Sequence, residues 1–471
     1  MPMQISTFVT TVAQSLKSSI IALEYFLAQS SELELLPALI ATAIFILVFI
    51  AISFHLLHET AAALLGASAV LLISYIWGTR NPSMVLLKFD EAMQFVDWNV
   101  IILILGMMIF MAILAETNVF RWLAYRLFSI SRGRTWLLVV GLVSLTGITS
   151  AFLNDVTAIL LIVPLSIQIA LAIDIHPFAI VIPEVMASNI GGAATLIGDP
   201  PSTIVGSHIG LGFTEYLVNM APIAIICMIS LIGIIRLQYR QEFSREHHKI
   251  SDSLLERLAR ESVISERRTL KKALIIGLLT FVLFFLGDRF SQMPPSVSAL
   301  AGAALLIAWV RPQMHHMLRE VDWTTLLFFI GLFVIVGAMD ATGAIGWAAS
   351  RIALLAGQSA DLAALLTIWI SGAASAIVAN IPFTVAALPV ADLLSQTIPA
   401  AADSGIVYWA LVLGADLGGN ATYLGSAPNI VAVGLLAQAG YRLSFGRFLR
   451  DGLPVTFVTL LLSSIYLILR Y

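Results

Sequence analysis

The chain has 471 residues, of which 59% are hydrophobic and only 11% are charged, with a formal net charge of −3. Because soluble domains carry about 25% charged residues, this composition excludes an ordinary soluble protein, and the small negative charge gives no support for a nucleic-acid partner. The single cysteine, Cys227, excludes an intramolecular disulfide and a cysteine-based structural metal site. Repeated apolar runs of roughly 17–22 residues predict an all-α polytopic protein, an integral multi-pass component of a lipid bilayer.

The predicted elements begin with an amphipathic N-terminal segment, residues 1–34, in which apolar positions alternate with charges. Beyond it, ten apolar stretches are long enough to cross a bilayer once. Two further stretches, 135–172 and 360–396, are too long for one crossing and are interrupted midway by polar or proline positions, so each is predicted to form a re-entrant hairpin. The ten predicted spans are 35–54, 61–77, 98–118, 176–197, 218–236, 272–288, 296–310, 323–341, 406–424 and 453–469.

A charged segment, 237–271, is predicted to be a linker between two halves of the chain. The stretch from Arg236 to Lys272 holds ten of the 25 lysine and arginine residues. With this linker in the cytoplasm, 19 of the 25 basic residues fall on the cytoplasmic side, as the positive-inside rule requires. The expected location is therefore a bacterial inner membrane, with the linker in the cytoplasm.

The two halves, 35–236 and 272–471, resemble each other in sequence. "VDWNVIILILG" at 96–106 matches "VDWTTLLFFIG" at 321–331, and further matches follow at nearly the same spacing. Each half is predicted to cross the membrane five times, so the two repeats must be inverted relative to each other. Inverted repeats with paired broken helices are typical of secondary transporters, whose substrate site lies where the repeats meet.

Two glycine-rich segments are predicted to break helices in equivalent places of the repeats, within 176–202 and 406–430. "NIGGAATLIGDPPS" at 189–202 is the first glycine segment, and "DLGGNATYLGSAPN" at 416–429 is the second. Glycine costs about 1 kcal/mol and proline about 3 kcal/mol inside a helix, and a broken helix survives in lipid only where its backbone faces protein, water or substrate. The alternative is a kink that packs closely through small residues. The candidate ion-binding residues are Asn189, Gly191, Gly192, Thr195, Gly198, Asp199, Asp416, Gly418, Gly419, Asn420, Thr422 and Asn429.

Each predicted hairpin carries short polar side chains where it is interrupted. Their oxygens and amides suit the coordination of a dehydrated ion, although the same residues also suit the capping of half-helices. Capping explains Asp155 least, and the repeat aligns this acid with Asn380. The candidate ion-binding residues of the hairpins are Ser150, Asn154, Asp155, Thr157, Ser375, Asn380 and Thr384.

Acidic residues occur in the predicted core without basic ones. No lysine or arginine lies between Thr135 and Ile235 or between Ile352 and Tyr441. A carboxylate without a cationic partner near the bilayer centre must be protonated, face water or bind a cation. Four acids at or beside the predicted breaks are therefore candidates for proton or Na⁺ coupling, namely Asp155, Glu184, Asp199 and Asp416.

These motifs resemble the ion transporter superfamily, in particular the branch of arsenite permeases, D-type sodium/proton antiporters and the melanosomal P protein, with a citrate-transporter-like permease domain. The resemblance rests on "SAFLNDVTAILLIVP" (150–164), "NIGGAATLIGDPP" (189–201), "VDWTTLLFFIGLFV" (321–334) and "NIPFTVAALPV" (380–390). It implies a homodimer in which a scaffold domain supports a mobile transport domain, made of two hairpins and two broken helices, with elevator-like alternating access. The chain differs from the family motif in the order Asn154–Asp155 and at Ser202, where asparagine is usual.

Together these features predict a secondary active ion transporter coupled to Na⁺ or H⁺. Sodium/proton antiport is favoured because unpaired acids suit a site for which Na⁺ and H⁺ compete. The alternative is a permease for a small anion or oxyanion, such as arsenite, chloride or a carboxylate, bound by half-helix N-termini. An ion channel is the alternative from a different class. No enzyme activity and no cofactor other than the coupling ion is predicted, because neither a P-loop nor a complete protease motif is present.

Overall fold

The computed structural model describes residues 35–54, 56–131, 134–243, 259–290, 293–347 and 359–471. The predicted N-terminal segment 1–34 and the middle of the predicted linker, 244–258, lie outside the described residues. Throughout the described residues the chain forms helices and no strands, which confirms the all-α prediction. Nine of the described helices are long and apolar enough to cross a membrane.

The first half contains helices α1 to α11, and every span predicted there corresponds to one of them. They are α1 Leu35–Ser53, α2 Glu59–Gly78, α3 Phe89–Phe95, α4 Trp98–Ala115, α5 Val119–Ser131, α6 Thr135–Phe152, α7 Asp155–Ala172, α8 Phe178–Gly192, α9 Pro200–His208, α10 Phe213–Gln238 and α11 Arg240–Phe243.

The second half repeats this order from α12 onward. Its helices are α12 Arg267–Phe290, α13 Pro295–Val310, α14 Met314–Glu320, α15 Trp323–Ala341, α16 Ala360–Ser375, α17 Asn380–Thr397, α18 Pro399–Ser404, α19 Ile406–Gly418, α20 Ala427–Gln438 and α21 Phe445–Arg470.

Helix α21 begins at Phe445, well before the predicted start at 453. The Ser444 hydroxyl accepts a hydrogen bond from the Arg447 backbone N–H, which fixes the start of the helix. The first two turns are polar, and Arg447 Nε lies 2.9 Å from Asp451 Oδ2, so a search for apolar runs does not detect them. Helix length here depends on paired charges that the sequence pattern alone does not reveal.

The repeated "VDW" motif marks the start of a helix in each half. Asp97 caps α4 by accepting hydrogen bonds from the N–H groups of Asn99 and Val100. Asp322 caps α15 in the same way, through Thr324 and Thr325. A side-chain oxygen at this position satisfies N–H groups that the first turn of a helix leaves unpaired.

Six helices, α1, α2, α4, α12, α13 and α15, pack together and are called the frame bundle below. Its contacts follow the repeat, since α4 packs on α13 as α15 packs on α2. A Cβ added at Gly106 of α4 would lie 2.9 Å from the Ala299 carbonyl carbon, and one at Gly331 of α15 would lie 2.9 Å from the Ala63 carbonyl carbon. Small residues allow this close approach of membrane helices, and the two repeats use them identically.

The remaining long elements form the site bundle, which consists of α6 to α10, α16, α17 and α19 to α21. Two hairpins, α6–α7 and α16–α17, pack against two interrupted helices, α8–α9 and α19–α20. The pairing again follows the repeat, because α6 packs on α8 as α16 packs on α19. The predicted hairpins and broken helices are thus present in this bundle.

The two ends of the molecule are defined by contacts of the linker and of the C-terminus. At the linker end, the Asn118 side chain donates hydrogen bonds to the carbonyls of Glu261 and Val263, and Tyr239 donates to Asp451. At the opposite end, Arg470 donates to the Asn219 side chain.

Candidate functional site

The two hairpin tips are tied to the breaks of the interrupted helices by matching hydroxyl groups. Ser150 Oγ donates to the Ser188 carbonyl at 2.7 Å, and Ser375 Oγ donates to the Ala415 carbonyl at 2.6 Å. Thr195 donates to the Ala151 carbonyl in the first half, as Thr422 does to the Ala376 carbonyl in the second. These four predicted site hydroxyls therefore hold the hairpins in place in this conformation.

The glycines of both segments are required by close backbone contacts. A Cβ at Gly198 would lie 2.7 Å from the Ser150 carbonyl oxygen, and a Cβ at Gly425 would lie 2.7 Å from the Ser375 carbonyl oxygen. At Gly191 and Gly418 an added Cβ would overlap backbone atoms of α6 and α16. Both predicted explanations of the glycine segments thus apply, because the helices are interrupted and the breaks are also tightly packed.

Three of the four predicted coupling acids meet at the interrupted helices. Asp155, Asp199 and Asp416 are 2%, 1% and 0% exposed, and each is near enough to interact electrostatically with the other two. Asp199 begins α9 and Asp416 lies near the end of α19, so the pair joins the two repeats. These three residues are called the carboxyl cluster.

Polar side chains from both repeats surround the carboxyl cluster. Ser202 Oγ donates to Asp416 Oδ2 at 3.1 Å, and Asn380 Nδ2 donates to Asp199 Oδ2 at 3.4 Å. Asp416 Oδ1 has no hydrogen-bond partner among the described residues, although it is buried. A buried carboxylate oxygen in this position is costly unless a proton or a cation occupies it.

A second buried polar group lies at positions that the repeat relates to the carboxyl cluster, but it contains no acid. Asn189 occupies the position equivalent to Asp416, and its Nδ2 donates to Asn420 Oδ1 at 2.8 Å and to Asn429 Oδ1 at 3.1 Å. Ser426 stands where the first repeat has Asp199, and its hydroxyl donates to Asn189 Oδ1 at 3.1 Å. This amide cluster is neutral and fully hydrogen-bonded, so the two related sites differ in charge.

Glu184, the fourth predicted coupling acid, lies apart from the carboxyl cluster. It is fully buried on α8, between the linker end and the break of that helix. Ser166 Oγ of α7 donates to Glu184 Oε1 at 2.6 Å, while Oε2 has no partner among the described residues. A buried acid held this way is a candidate carrier of a proton between the linker end and the centre.

The remaining predicted hairpin residues make local helix contacts. The Asn154 side chain accepts a hydrogen bond from the Thr157 backbone N–H and so caps α7, and Thr384 donates to the Asn380 carbonyl within α17. Gly192 and Gly419 pack against the opposite sides of their own breaks, beside Asp199 and Gly425. The structure thus places these residues next to the predicted site without directing their polar atoms into it.

Within the described residues no group of three or more histidine, cysteine or acidic side chains converges closely enough to hold a metal ion. A cation at the carboxyl cluster would therefore take ligands from Asp199 and Asp416 together with oxygens such as Ser202 Oγ. Carboxylate and hydroxyl oxygens are ligands that suit hard cations.

A polar group at the opposite end joins side chains that no sequence pattern relates to each other. His208 at the end of α9 lies 2.9 Å and 3.0 Å from the two carboxylate oxygens of Asp392 in α17. Tyr408 of α19 donates to Asp392 Oδ1 at 2.8 Å. Asp392 was visible in the sequence as an acid in a segment without basic residues, but nothing in the pattern linked it to a histidine 184 positions earlier.

Comparison with known proteins agrees with this architecture. A family model described as "Citrate transporter" matches residues 44–414. A 46 kDa membrane protein of Mycobacterium leprae is 35% identical over 92% of this chain and 99% of its own length. The P protein of Mus musculus is 30% identical over 95% of this chain, which spans 61% of that protein.

Two solved transporter structures share the fold at low sequence identity. The YdaH transporter of Alcanivorax borkumensis matches with a TM-score of 0.57 and 14% identity, covering 87% of this chain and 98% of its own. MtrF of Neisseria gonorrhoeae, described as illuminating a class of antimetabolite efflux pumps, matches with a TM-score of 0.58 and 12% identity, covering 92% and 94% of the two chains. The family match and the shared fold lead to one conclusion: this chain is a membrane transporter that belongs to the citrate transporter family.

Proposed function

We propose that the protein is a secondary active transporter that exchanges Na⁺ for H⁺. The observation that carries this proposal is the buried carboxyl cluster, in which Asp199 and Asp416 meet beside Asp155 with an unpaired oxygen on Asp416. No lysine or arginine occurs in the sequence between Thr135 and Ile235 or between Ile352 and Tyr441 to neutralise these acids.

The proposed exchange of Na⁺ for H⁺ follows from the electrostatics of Asp199 and Asp416. Two carboxylates in contact inside a protein cannot both stay ionised without a compensating charge, so either a proton or a cation must be present. Na⁺ and H⁺ therefore exclude each other at Asp199 and Asp416. Alternate exposure of such a site to the two ends converts a gradient of one ion into movement of the other.

Glu184 is proposed as a proton carrier on the linker side of this site. It is buried, accepts a hydrogen bond from Ser166 and has one oxygen free of partners among the described residues. A proton bound there neutralises an acid that has no basic partner in contact. The second repeat has Leu411 at the position equivalent to Glu184, so a proton carrier of this kind is proposed only between the linker end and the site.

Alternating access is proposed to occur by movement of the site bundle against the frame bundle. At the opposite end α15 packs on α17 and α4 packs on α9, whereas the pairs that the repeat relates to them, α4 with α7 and α15 with α20, pack to a much smaller extent. This difference supports a conformation closed at the opposite end. The cytoplasmic location of the linker, a bacterial inner membrane and a homodimeric assembly stay proposals of the same kind.

The test is ion flux through purified protein in liposomes. An outward proton gradient is expected to drive Na⁺ uptake by the native protein, and Asp416→Asn is expected to reduce this uptake by at least about tenfold, which corresponds to about 1.4 kcal/mol. The matched control is Asp361→Asn, which removes an acid from the first turn of α16, outside the cluster. Unchanged proton-coupled Na⁺ flux in Asp416→Asn would refute the assigned role of the cluster.

The second candidate is a permease for a carboxylate or an oxyanion, favoured by the family model's description as a citrate transporter. In that case the N-termini of α9 and α20, which both start at the centre, would bind the anion, and a cation at the carboxyl cluster would supply coupling. The same liposomes decide between the two when loaded with citrate, arsenite or chloride. Flux without coupling or saturation would instead indicate a channel.

A further inference from the structure

A cavity of about 430 Å³ lies at the opposite end, between the two bundles. The site bundle contributes His208 and Asp392 to its wall, and the frame bundle contributes Asp97 and Asp340. The His208 side chain is 39% exposed, so protons from this end reach it directly. The charge of His208 therefore lies at the boundary between the site bundle and the frame bundle at this end, which is called the seam.

The charges facing His208 are all acidic. The Nε2 atom of His208 lies 2.9 Å from the carboxylate of Asp392 in α17. Asp97, just before α4, and Asp340 of α15 lie near enough to His208 to act on it electrostatically. Tyr408 of α19 shares the Asp392 carboxylate. No basic residue other than His208 is among the described residues that line the cavity.

At the equivalent place of the linker end only one of these charges has a counterpart, which is Asp322 at the position related to Asp97. The repeat relates His208 to Leu435, Asp392 to Ile167 and Asp340 to Ala115, all of which are apolar. The fold of the repeat therefore does not require His208, Asp392 or Asp340. This difference argues for a specific role at one end rather than for general packing.

Along the seam that these residues line, α15 contacts α17 and α4 contacts α9 in this conformation. We propose that His208 and Asp392 form a pH-controlled latch between the site bundle and the frame bundle at the opposite end. Protonated His208 neutralises Asp392 and attracts Asp97 and Asp340 across the seam, which holds it closed. Neutral His208 leaves carboxylates of both bundles facing each other, and their repulsion opens the seam.

The direction of the pH effect follows from the surroundings of His208, which lies outside the helices long enough to cross a membrane. Burial lowers its pKa, but the hydrogen bond and charge of Asp392, with the charges of Asp97 and Asp340, outweigh this and raise the pKa above 6.5. Asp97 and Asp340 belong to the frame bundle, so their part of the increase in pKa is lost when the seam opens, and the closed seam therefore binds the proton more tightly. Its stabilisation is therefore complete at low pH and is lost as the pH rises through the raised pKa.

The latch refines the proposed transport function by adding pH control to it, and its test does not require knowledge of the transported ion. In a Cys227→Ser background, a reporter cysteine replaces Val336, which lines the cavity from α15 and is buried in this conformation. The rate of its reaction with a membrane-impermeant thiol reagent is measured against pH in three forms: with His208, with His208→Gln and with His208→Arg. Comparing forms at each pH removes the pH dependence that the thiol has in all of them, and a positive charge at position 208 would by itself speed the reaction of a nearby thiol, which is opposite to the expected effect.

The rate with His208 is expected to be about one fifth or less of the His208→Gln rate near pH 5.5, and to approach it near pH 9. His208→Arg keeps the positive charge and is expected to stay slow throughout. His315→Gln, an exposed histidine of α14 at the linker end, is the control and should follow the parent. A ratio between parent and His208→Gln that does not change with pH overturns the latch, whatever the liposome flux measurements give.

Discussion

At the scale of single residues, the contrast between the carboxyl cluster and the amide cluster is the most informative feature of the site. Both clusters occupy equivalent positions of the repeat, yet one contains Asp199 and Asp416 and the other contains Ser426 and Asn189. An amide and a hydroxyl satisfy each other without a net charge, whereas two carboxyls need a proton or a cation. Chemical asymmetry within a symmetric fold therefore assigns ion coupling to one of the two sites.

The first prediction concerns Asp155, the acid that follows the α7 cap residue Asn154. Asp155→Asn removes one of three interacting acidic charges and is expected to abolish the pH dependence of Na⁺ flux in proteoliposomes. Asn154→Ala, which removes only the cap of α7, is the control. It should keep the pH dependence of Na⁺ flux, while the free energy of unfolding falls by about 0.5–2 kcal/mol. Normal pH-dependent exchange by Asp155→Asn would show that Asp155 has no part in coupling.

The second prediction concerns Glu184. Glu184→Gln keeps an acceptor for the Ser166 hydroxyl, so the fold should persist, while a proton can no longer leave the side chain. We expect Na⁺ binding to be retained and the movement of protons per Na⁺, followed with a pH-sensitive dye, to fall. Ser166→Ala is the matched control, because it removes the hydrogen bond but keeps the acid. Equal proton movement in Glu184→Gln and the native protein would exclude Glu184 as a carrier.

At the scale of elements, the broken helices and hairpins behave as interlocked pairs. Hydroxyls of the hairpin tips donate to carbonyls just before each break, and hydroxyls just after the breaks donate back to the tips. Thr195 and Thr422 thus satisfy carbonyls at the ends of α6 and α16, and Ser150 and Ser375 add a second hydrogen bond to carbonyls within α8 and α19. Glycine is required at these crossings because backbone meets backbone.

The third prediction tests this close packing. Gly191→Ala and Gly418→Ala each place a methyl group against the backbone of a neighbouring helix, so each is expected to destabilise the protein by about 1–3 kcal/mol, to a similar degree in both repeats. The measurement is thermal unfolding in detergent. Gly434→Ala in α20, where an added Cβ has no neighbour within 4 Å, is the control and should not lower stability. Tolerance of alanine at both Gly191 and Gly418 would contradict the packing described here.

At the scale of the whole molecule, the two repeats are equivalent in sequence but not in their contacts. The frame and site bundles meet more closely at the opposite end than at the linker end. Exchanging the roles of the repeats generates a second arrangement, in which α4 packs on α7 and α15 packs on α20. Two such arrangements are what alternating access requires.

The fourth prediction identifies this second arrangement by cross-linking. Val336 and Leu388 line the cavity between α15 and α17, and the repeat relates them to Met111 and Val163. In a Cys227→Ser background, cysteines at 336 and 388 are expected to cross-link in the conformation described here, and cysteines at 111 and 163 in the other one. Ion gradients should shift yield from one pair to the other. Failure of the second pair to cross-link under every gradient would argue against exchange of the two arrangements.

The sequence by itself determined the helical membrane fold, the duplication, the interrupted helices and the concentration of acids without basic partners. These are properties of local composition and of spacing along the chain, since hydropathy, glycine and proline act on the residues next to them. The prediction of re-entrant hairpins came from the same source. The start of α21 was displaced furthest, because paired charges extend that helix beyond its apolar run, while α10 and α12 also begin before their predicted spans.

Only the tertiary structure decided which of these side chains meet. It joined Asp416 to Ser202, separated Glu184 from the other acids, and used four of the predicted ligand hydroxyls to tie hairpins to breaks. It also brought His208 to Asp392, a pair that no local pattern indicates. The physical reason is that these contacts join residues from tens of positions to more than two hundred positions apart, and the packing of whole helices sets their geometry.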